Sequence, residues 1–135
     1  MESPIILCID DRQTVLELRK ATLESNGYCV QVASSSYAAI KILEEISMTA
    51  VLLEYKLEGM DAEAVAWHIK QRFPNLPIIL LSAYSEVPER ILWLVDEYVM
   101  KSEMPERLLG IMKRSTRPDS VVRSDERQRQ GGAAA

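Results

Sequence analysis

The chain is poor in the residues that small enzymes most often use for chemistry. It has one histidine, His68, and two cysteines, Cys8 and Cys29. No serine–histidine or cysteine–histidine pair can be picked out, so a nucleophile activated by a neighbouring base has no visible machinery. His68 falls in the middle of a helical stretch beside Trp67, the place of a surface or packing residue. Both cysteines lie inside apolar runs. They are expected to be small buried thiols rather than a disulfide, which suits a reducing compartment. Glycine is scarce, with five in 135 residues. None follows the first apolar run: "DDRQTV" lacks the Gly-rich turn of a phosphate-cradling nucleotide site, which counts against a small α/β enzyme. No apolar run approaches the ~18 residues that cross a bilayer. The start, "MESPIILCIDD", lacks the basic region of a signal peptide, and a cytoplasmic location is expected. Positive charge is not in surplus either. A net charge of −4 argues against nonspecific binding to nucleic acid, although it leaves room for a local basic patch.

What is present is an alternating pattern. Hydrophobic residues make up 47% and charged residues 27%, the balance of one soluble domain with a real core. Five short apolar runs stand out: 4–10, 28–33, 49–55, 76–83 and 97–101. Between and after them lie stretches with helical spacing. Residues 12–28 carry Val15, Leu18, Thr22 and Leu23 and end on "NG", a C-cap signal. Residues 34–47 open on serines that can cap and continue with Ile40, Leu43 and Ile46. Residues 61–73 carry Val65, Ile69 and Phe73 and stop at Pro74. Residues 88–95 open on a proline, and 102–115 carry Leu108, Ile111 and Met112. Strands apolar throughout have both faces covered. Strict strand–helix alternation with right-handed crossovers then gives an α/β fold, an open parallel five-stranded sheet with helices on both sides. Residues 1–115 are expected to form this domain. The segment 116–135 lacks periodicity and is expected to be a disordered tail carrying no DNA-binding effector.

In such sheets ligands bind beyond the carboxyl ends of the strands. The first run ends on Asp10 and Asp11, the third on Glu54, the fourth on Ser82 and the fifth on Lys101, with Tyr98 three residues earlier. Three acids, a hydroxyl and an ammonium on separate strand ends make a candidate site for a divalent cation and a phosphate. Hard oxygen ligands suit Mg²⁺, and Lys and Ser suit an anion beside it. Each signal alone is weak; the order of the set is what makes it specific.

With these residues in place, the chain resembles the receiver domain of two-component response regulators, over residues 4 to about 115. "ILCIDD" matches the acid pair, "VLLEYKLEGMD" the strand and loop of the phosphoacceptor, "PIILLSA" the switch hydroxyl at Ser82, and "EYVMK" the switch aromatic Tyr98 and the Lys101 ammonium. The resemblance implies the flavodoxin-like strand order 2-1-3-4-5. It also implies a metal site of Asp10, Asp11, the residue at 54 and the backbone carbonyl of Lys56, a histidine kinase as partner, and an interaction face on the fourth helix, fifth strand and fifth helix. It places Glu54 where the family has its phosphorylated Asp. Other departures cluster nearby: Glu58 and Ser102 replace prolines, Ala62 replaces a glycine, and the segment from Ser82 to Lys101 is short, so the fourth helix is expected to be truncated.

The extra methylene of Glu moves the carboxylate outward by about 1.3 Å, and errors near 1 Å can cost ~10²-fold in rate where catalysis is positioning. Glu54 is therefore expected to be a poor acceptor. Its charge could instead pair with Lys101 and accept from Ser82, a partial imitation of the phosphorylated state, with Lys56 as a candidate internal cation. The expected function is a receiver-like signalling module acting through protein contacts, to a kinase, another signalling protein or a second copy. The alternative is a working acceptor with Mg²⁺-dependent phosphotransfer. Trp67 and Trp93 are expected to be core or partly buried packing residues.

Overall fold

The computed structural model describes residues 4–116. The expected tail, beyond Thr116, lies outside the described residues. The five strands are β1 (Ile5–Ile9), β2 (Cys29–Ala33), β3 (Ala50–Glu54), β4 (Ile78–Ser82) and β5 (Glu97–Met100). They alternate with α1 (Gln13–Glu24), α2 (Ser36–Glu45), α3 (Ala62–Arg72), α4 (Glu89–Leu92) and α5 (Glu106–Thr116). A 3-10 turn, Lys101–Glu103, follows β5. All neighbouring strands are parallel, in the order β2-β1-β3-β4-β5.

Successive residues of a strand point to opposite faces, and the sheet uses both. Ile6, Cys8, Leu52, Ile79, Leu81 and Val99 pack against α1 and α5 through Leu16, Leu23, Leu108, Ile111 and Met112. Leu7, Ile9, Val51, Leu53, Ile78 and Leu80 pack against α2, α3 and α4 through Leu43, Val65, Ile69 and Ile91. Every residue of β3 and β4 is buried, as continuous apolar runs require.

Local signals set the helix ends. The Ser35 hydroxyl accepts from the Ala38 N–H to cap α2, and the Asp61 carboxylate accepts from the Glu63 N–H to cap α3. Gly27, at φ 92°, takes the left-handed conformation just past α1 that a side chain would strain. The fourth helix is a single turn of 4 residues, truncated as expected.

Four expectations need correction. Of the spacing Val15, Leu18, Thr22 and Leu23 that marks α1, only Leu23 belongs to the fully buried stripe. Leu18 is 71% exposed, and the buried residues are Leu16, Arg19 and Leu23. That set is equally helical in spacing, and it carries Arg19 inward to an acid. Cys29 is exposed, because it opens the edge strand on the face of Gln31, which becomes buried only at Ala33. Trp67 is 48% exposed because α3 turns Ala62, Val65, Ala66 and Ile69 inward instead. Trp93 is 81% exposed, just past a helix whose buried residue is Ile91. His68 is exposed, as expected of a surface residue.

Candidate functional site

Parallel strands deliver their last residues to one edge of the sheet, so the register fixes what meets there. Ile9 pairs with Leu53, and Glu54 with Leu81. The residues that follow β1 and close β3, β4 and β5 therefore converge. Asp10, Glu54 and Ser82 are all fully buried, and a buried carboxylate needs charged or hydrogen-bonding partners.

Glu54 has them on both oxygens. Its Oε1 is ion-paired with Lys101 Nζ and lies 3.4 Å from Arg12 Nη2. Its Oε2 accepts from the Lys56 backbone N–H at 3.1 Å. Asp10 is held as tightly. Its Oδ1 accepts from the Arg12 N–H at 3.0 Å and from Arg12 Nε at 3.3 Å, and its Oδ2 from Arg12 Nη2 at 3.4 Å. Arg12 thus forks onto Asp10 and bridges to Glu54, and these partners raise its pKa further above its ordinary value, the Asp10 hydrogen bond contributing most. From the other side comes Arg19, 6% exposed at its side chain, with Nη1 at 3.5 Å from Asp10 Oδ2. That distance makes an ion pair without a hydrogen bond, and the buried Nη1 has no hydrogen-bond partner.

Asp11 takes different partners. Its Oδ2 accepts from the Gly59 N–H at 2.8 Å and from the Glu58 N–H, pinning the loop after β3. These amides, Gly59 first, hold the carboxyl below its usual range. Asp10, Asp11 and Glu54 are therefore close in the fold but turned to different partners. Among the described residues no group of three or more acids, histidines or cysteines could hold a metal ion. The three carboxylates expected, with the Lys56 carbonyl, to form a Mg²⁺ site are engaged by Arg12 at Asp10, by the Glu58 and Gly59 amides at Asp11 and by Lys101 at Glu54.

Two further expectations change. Ser82 Oγ accepts from the Tyr84 N–H at 3.0 Å rather than donating to Glu54. The Lys56 ammonium, expected as an internal cation, turns outward to the Tyr84 hydroxyl at 3.0 Å and lies 5.7 Å from that ring's centre. Its backbone N–H, not its charge, serves Glu54. Tyr98 also meets Tyr84, its hydroxyl donating to the Tyr84 carbonyl. Tyr84 is thus gripped at its N–H by Ser82, at its carbonyl by Tyr98 and at its hydroxyl by Lys56.

Sequence reasoning missed Arg12, Arg19 and Tyr84. Arg12 directly follows the acid pair, and Arg19 sits seven residues on, on the same helix face. A basic residue inside the stripe Leu16, Arg19, Leu23 was the available signal. Tyr84 offered none beyond its nearness to Ser82.

Residues 6–113 match the response regulator receiver domain family. The response regulator MprA of Mycobacterium leprae is 30% identical over 125 residues, 88% of this chain and 55% of that protein. A putative NtrX-like response regulator of Rickettsia felis is 27% identical over 125 residues, 89% of this chain and 26% of that protein. The chain thus spans about half the length of the first relative and about a quarter of the second. Among solved structures, the response regulator TrrA of Thermotoga maritima, in complex with Mg²⁺-BeF, superposes with a TM-score of 0.76 at 31% identity, covering 83% of this chain and 98% of that one. The same regulator in complex with the histidine kinase ThkA gives 0.77 at 30% identity, covering 84% and 99%. With the family match over residues 6–113 and the strand order in agreement, the chain belongs to the response regulator receiver domain family.

Proposed function

We propose that this receiver domain is a signalling module of a two-component system that works with little or no conventional phosphotransfer, because Glu54 stands at the acceptor position. One observation carries the reading: the Glu54 carboxylate is fully buried, and both its oxygens are engaged, by Lys101, Arg12 and the Lys56 N–H. An acceptor must turn a lone pair on an incoming phosphorus, with the transferring oxygens neutralised around it. Here the groups that would neutralise those oxygens already neutralise the acid itself. Glu54 supplies one negative charge where a phosphoryl group would bring ~1.5 to 2 and three acceptor oxygens. The imitation is partial.

In this reading Lys101 anchors the charge, and Ser82 and Tyr98 are the switch residues that transmit its presence through Tyr84. Residues 1–115 are the working unit, acting in the cytoplasm without enzymatic turnover. The output surface is the α4–β5–α5 face. There Trp93 and Leu92 are exposed, and a groove is lined by Leu92, Val95, Asp96, Glu97, Tyr98 and Arg107. Exposed aromatics at a groove suit a protein partner. TrrA binds a histidine kinase. For this chain the partner is a histidine kinase, another signalling protein or a second copy meeting the same face.

The test is incubation with a small-molecule phosphodonor and Mg²⁺, followed by intact mass. The wild-type chain is expected to stay unmodified. Stoichiometric gain of a phosphoryl group at Glu54 would refute the reading. Glu54→Asp, which pulls the carboxylate back by one methylene, is the companion: labelling there shows that the surrounding site is otherwise competent.

A further inference from the structure

We propose that the Arg12 guanidinium is the resident cation of the strand-end cluster, and that this domain keeps its site assembled without a divalent metal. The inference rests on the reading of Glu54 above and names what holds that residue in place.

Charge is the first argument. The three acids Asp10, Asp11 and Glu54 outnumber Lys101 by two, the imbalance a divalent ion would cancel. Arg12 and Arg19 cancel it instead, since both face Asp10 and Arg12 also reaches Glu54. An added divalent ion would leave the cluster positive.

Geometry is the second. Two carboxylates that would share a metal must turn oxygens to a common point. Here Asp10 Oδ1 and Oδ2 and Glu54 Oε1 turn to one guanidinium, at 3.3 and 3.4 Å and at 3.4 Å respectively. The third acid, Asp11, is committed to the loop amides of Glu58 and Gly59. Position relative to solvent is the third. The Arg12 side chain is 48% exposed, while those of Asp10 and Glu54 are 0% and 1%. The guanidinium is therefore the solvent-facing partner of two acids that water does not reach. A guanidinium is weakly hydrated and forks onto carboxylates, so it fills such a seat at lower desolvation cost than an ammonium.

The experiment is a Mn²⁺ titration of the full chain, followed by the electron spin resonance signal of the free ion, with no phosphodonor present. The wild-type chain is expected to show no saturable binding up to about ten times the ~1 mM that weak carboxylate sites require. Arg12→Ala, with the seat vacated, is expected to gain one saturable site, and its melting temperature to rise by roughly 3–6 °C with saturating Mg²⁺. Arg12→Lys keeps the charge but loses the fork onto Asp10 and Glu54, and is expected to gain a weaker site than Arg12→Ala. If Arg12→Ala folds only when Mg²⁺ is added, that also supports the assignment. Saturable Mn²⁺ binding by the wild-type chain, or an Arg12→Ala chain that folds and gains no site, overturns it. A wild-type chain that takes up a phosphoryl group yet binds no Mn²⁺ would overturn the functional reading and leave this one standing.

Discussion

Asp10 joins the two arginines of the site. It is fully buried and shared by Arg12 and Arg19. Removing one partner of a buried ion cluster leaves the others uncompensated. Asp10→Ala is expected to destabilise the fold by roughly 3–5 kcal/mol in urea unfolding, and Arg19→Met, which leaves the buried Asp10 with Arg12 alone, is expected to destabilise it as well, by less because one cation remains. No loss from Arg19→Met would show that Arg19 packs rather than pairs. The cysteines separate in the same manner. Burial pushes the Cys8 thiol up to about 12, against the opposing pull of Arg19, and Cys29 is exposed. A native chain at pH 8 is expected to react with one equivalent of a thiol reagent, at Cys29, and a denatured chain with two. A raised folded pKa means that the Cys8 contribution to stability is complete below about pH 9 and is lost as pH rises toward 12. Denaturation midpoints should fall over that window, and fall less in Cys8→Ala.

At the scale of elements, the strands were the most legible feature, because runs such as "VLL" and "IILL" admit few environments other than the middle of a covered sheet. Helix orientation was less legible. In α1 two stripes of helical spacing compete, and the buried one joins Leu16 and Leu23 to the core while carrying Arg19 to Asp10. The tryptophans misled for a related reason: hydrophobicity predicts burial only where an element has a neighbour on that side, and α4 is too short to cover its own face. Caps were readable residue by residue. Ser35→Ala, which removes the hydroxyl that accepts from Ala38, is expected to cost about 1 kcal/mol, measured by thermal or urea unfolding. A helix of one turn cannot hold itself together. The amides of α4 are therefore expected to exchange with deuterium far faster than those of α3 or β4, and equal protection would contradict the account of α4.

At the scale of the molecule, the fold brings together exactly those strand ends that the sequence marked with polar residues. Which residues would meet was legible from their places at the strand ends; which atoms would touch was not. Asp11 looked equivalent to Asp10 in the sequence but turns to a loop whose path depends on Glu58 and Gly59. Lys56 looked like the internal cation, yet its side chain follows Tyr84. These outcomes depend on side-chain reach across elements, which spacing along the chain does not encode. The same view locates the output. Trp93→Ala changes an exposed residue and is expected to leave stability within ~0.5 kcal/mol, while weakening partner binding or self-association measured by sedimentation. Unchanged association would move the interface elsewhere on the surface. The central claim is that the pocket already holds its charge, its cation and its switch contacts. The most direct measurement is the amide NMR spectrum of the wild-type chain before and after addition of Mg²⁺ and a small phosphodonor. The account predicts superimposable spectra; displaced resonances for Lys56, Tyr84 and Lys101 would contradict it.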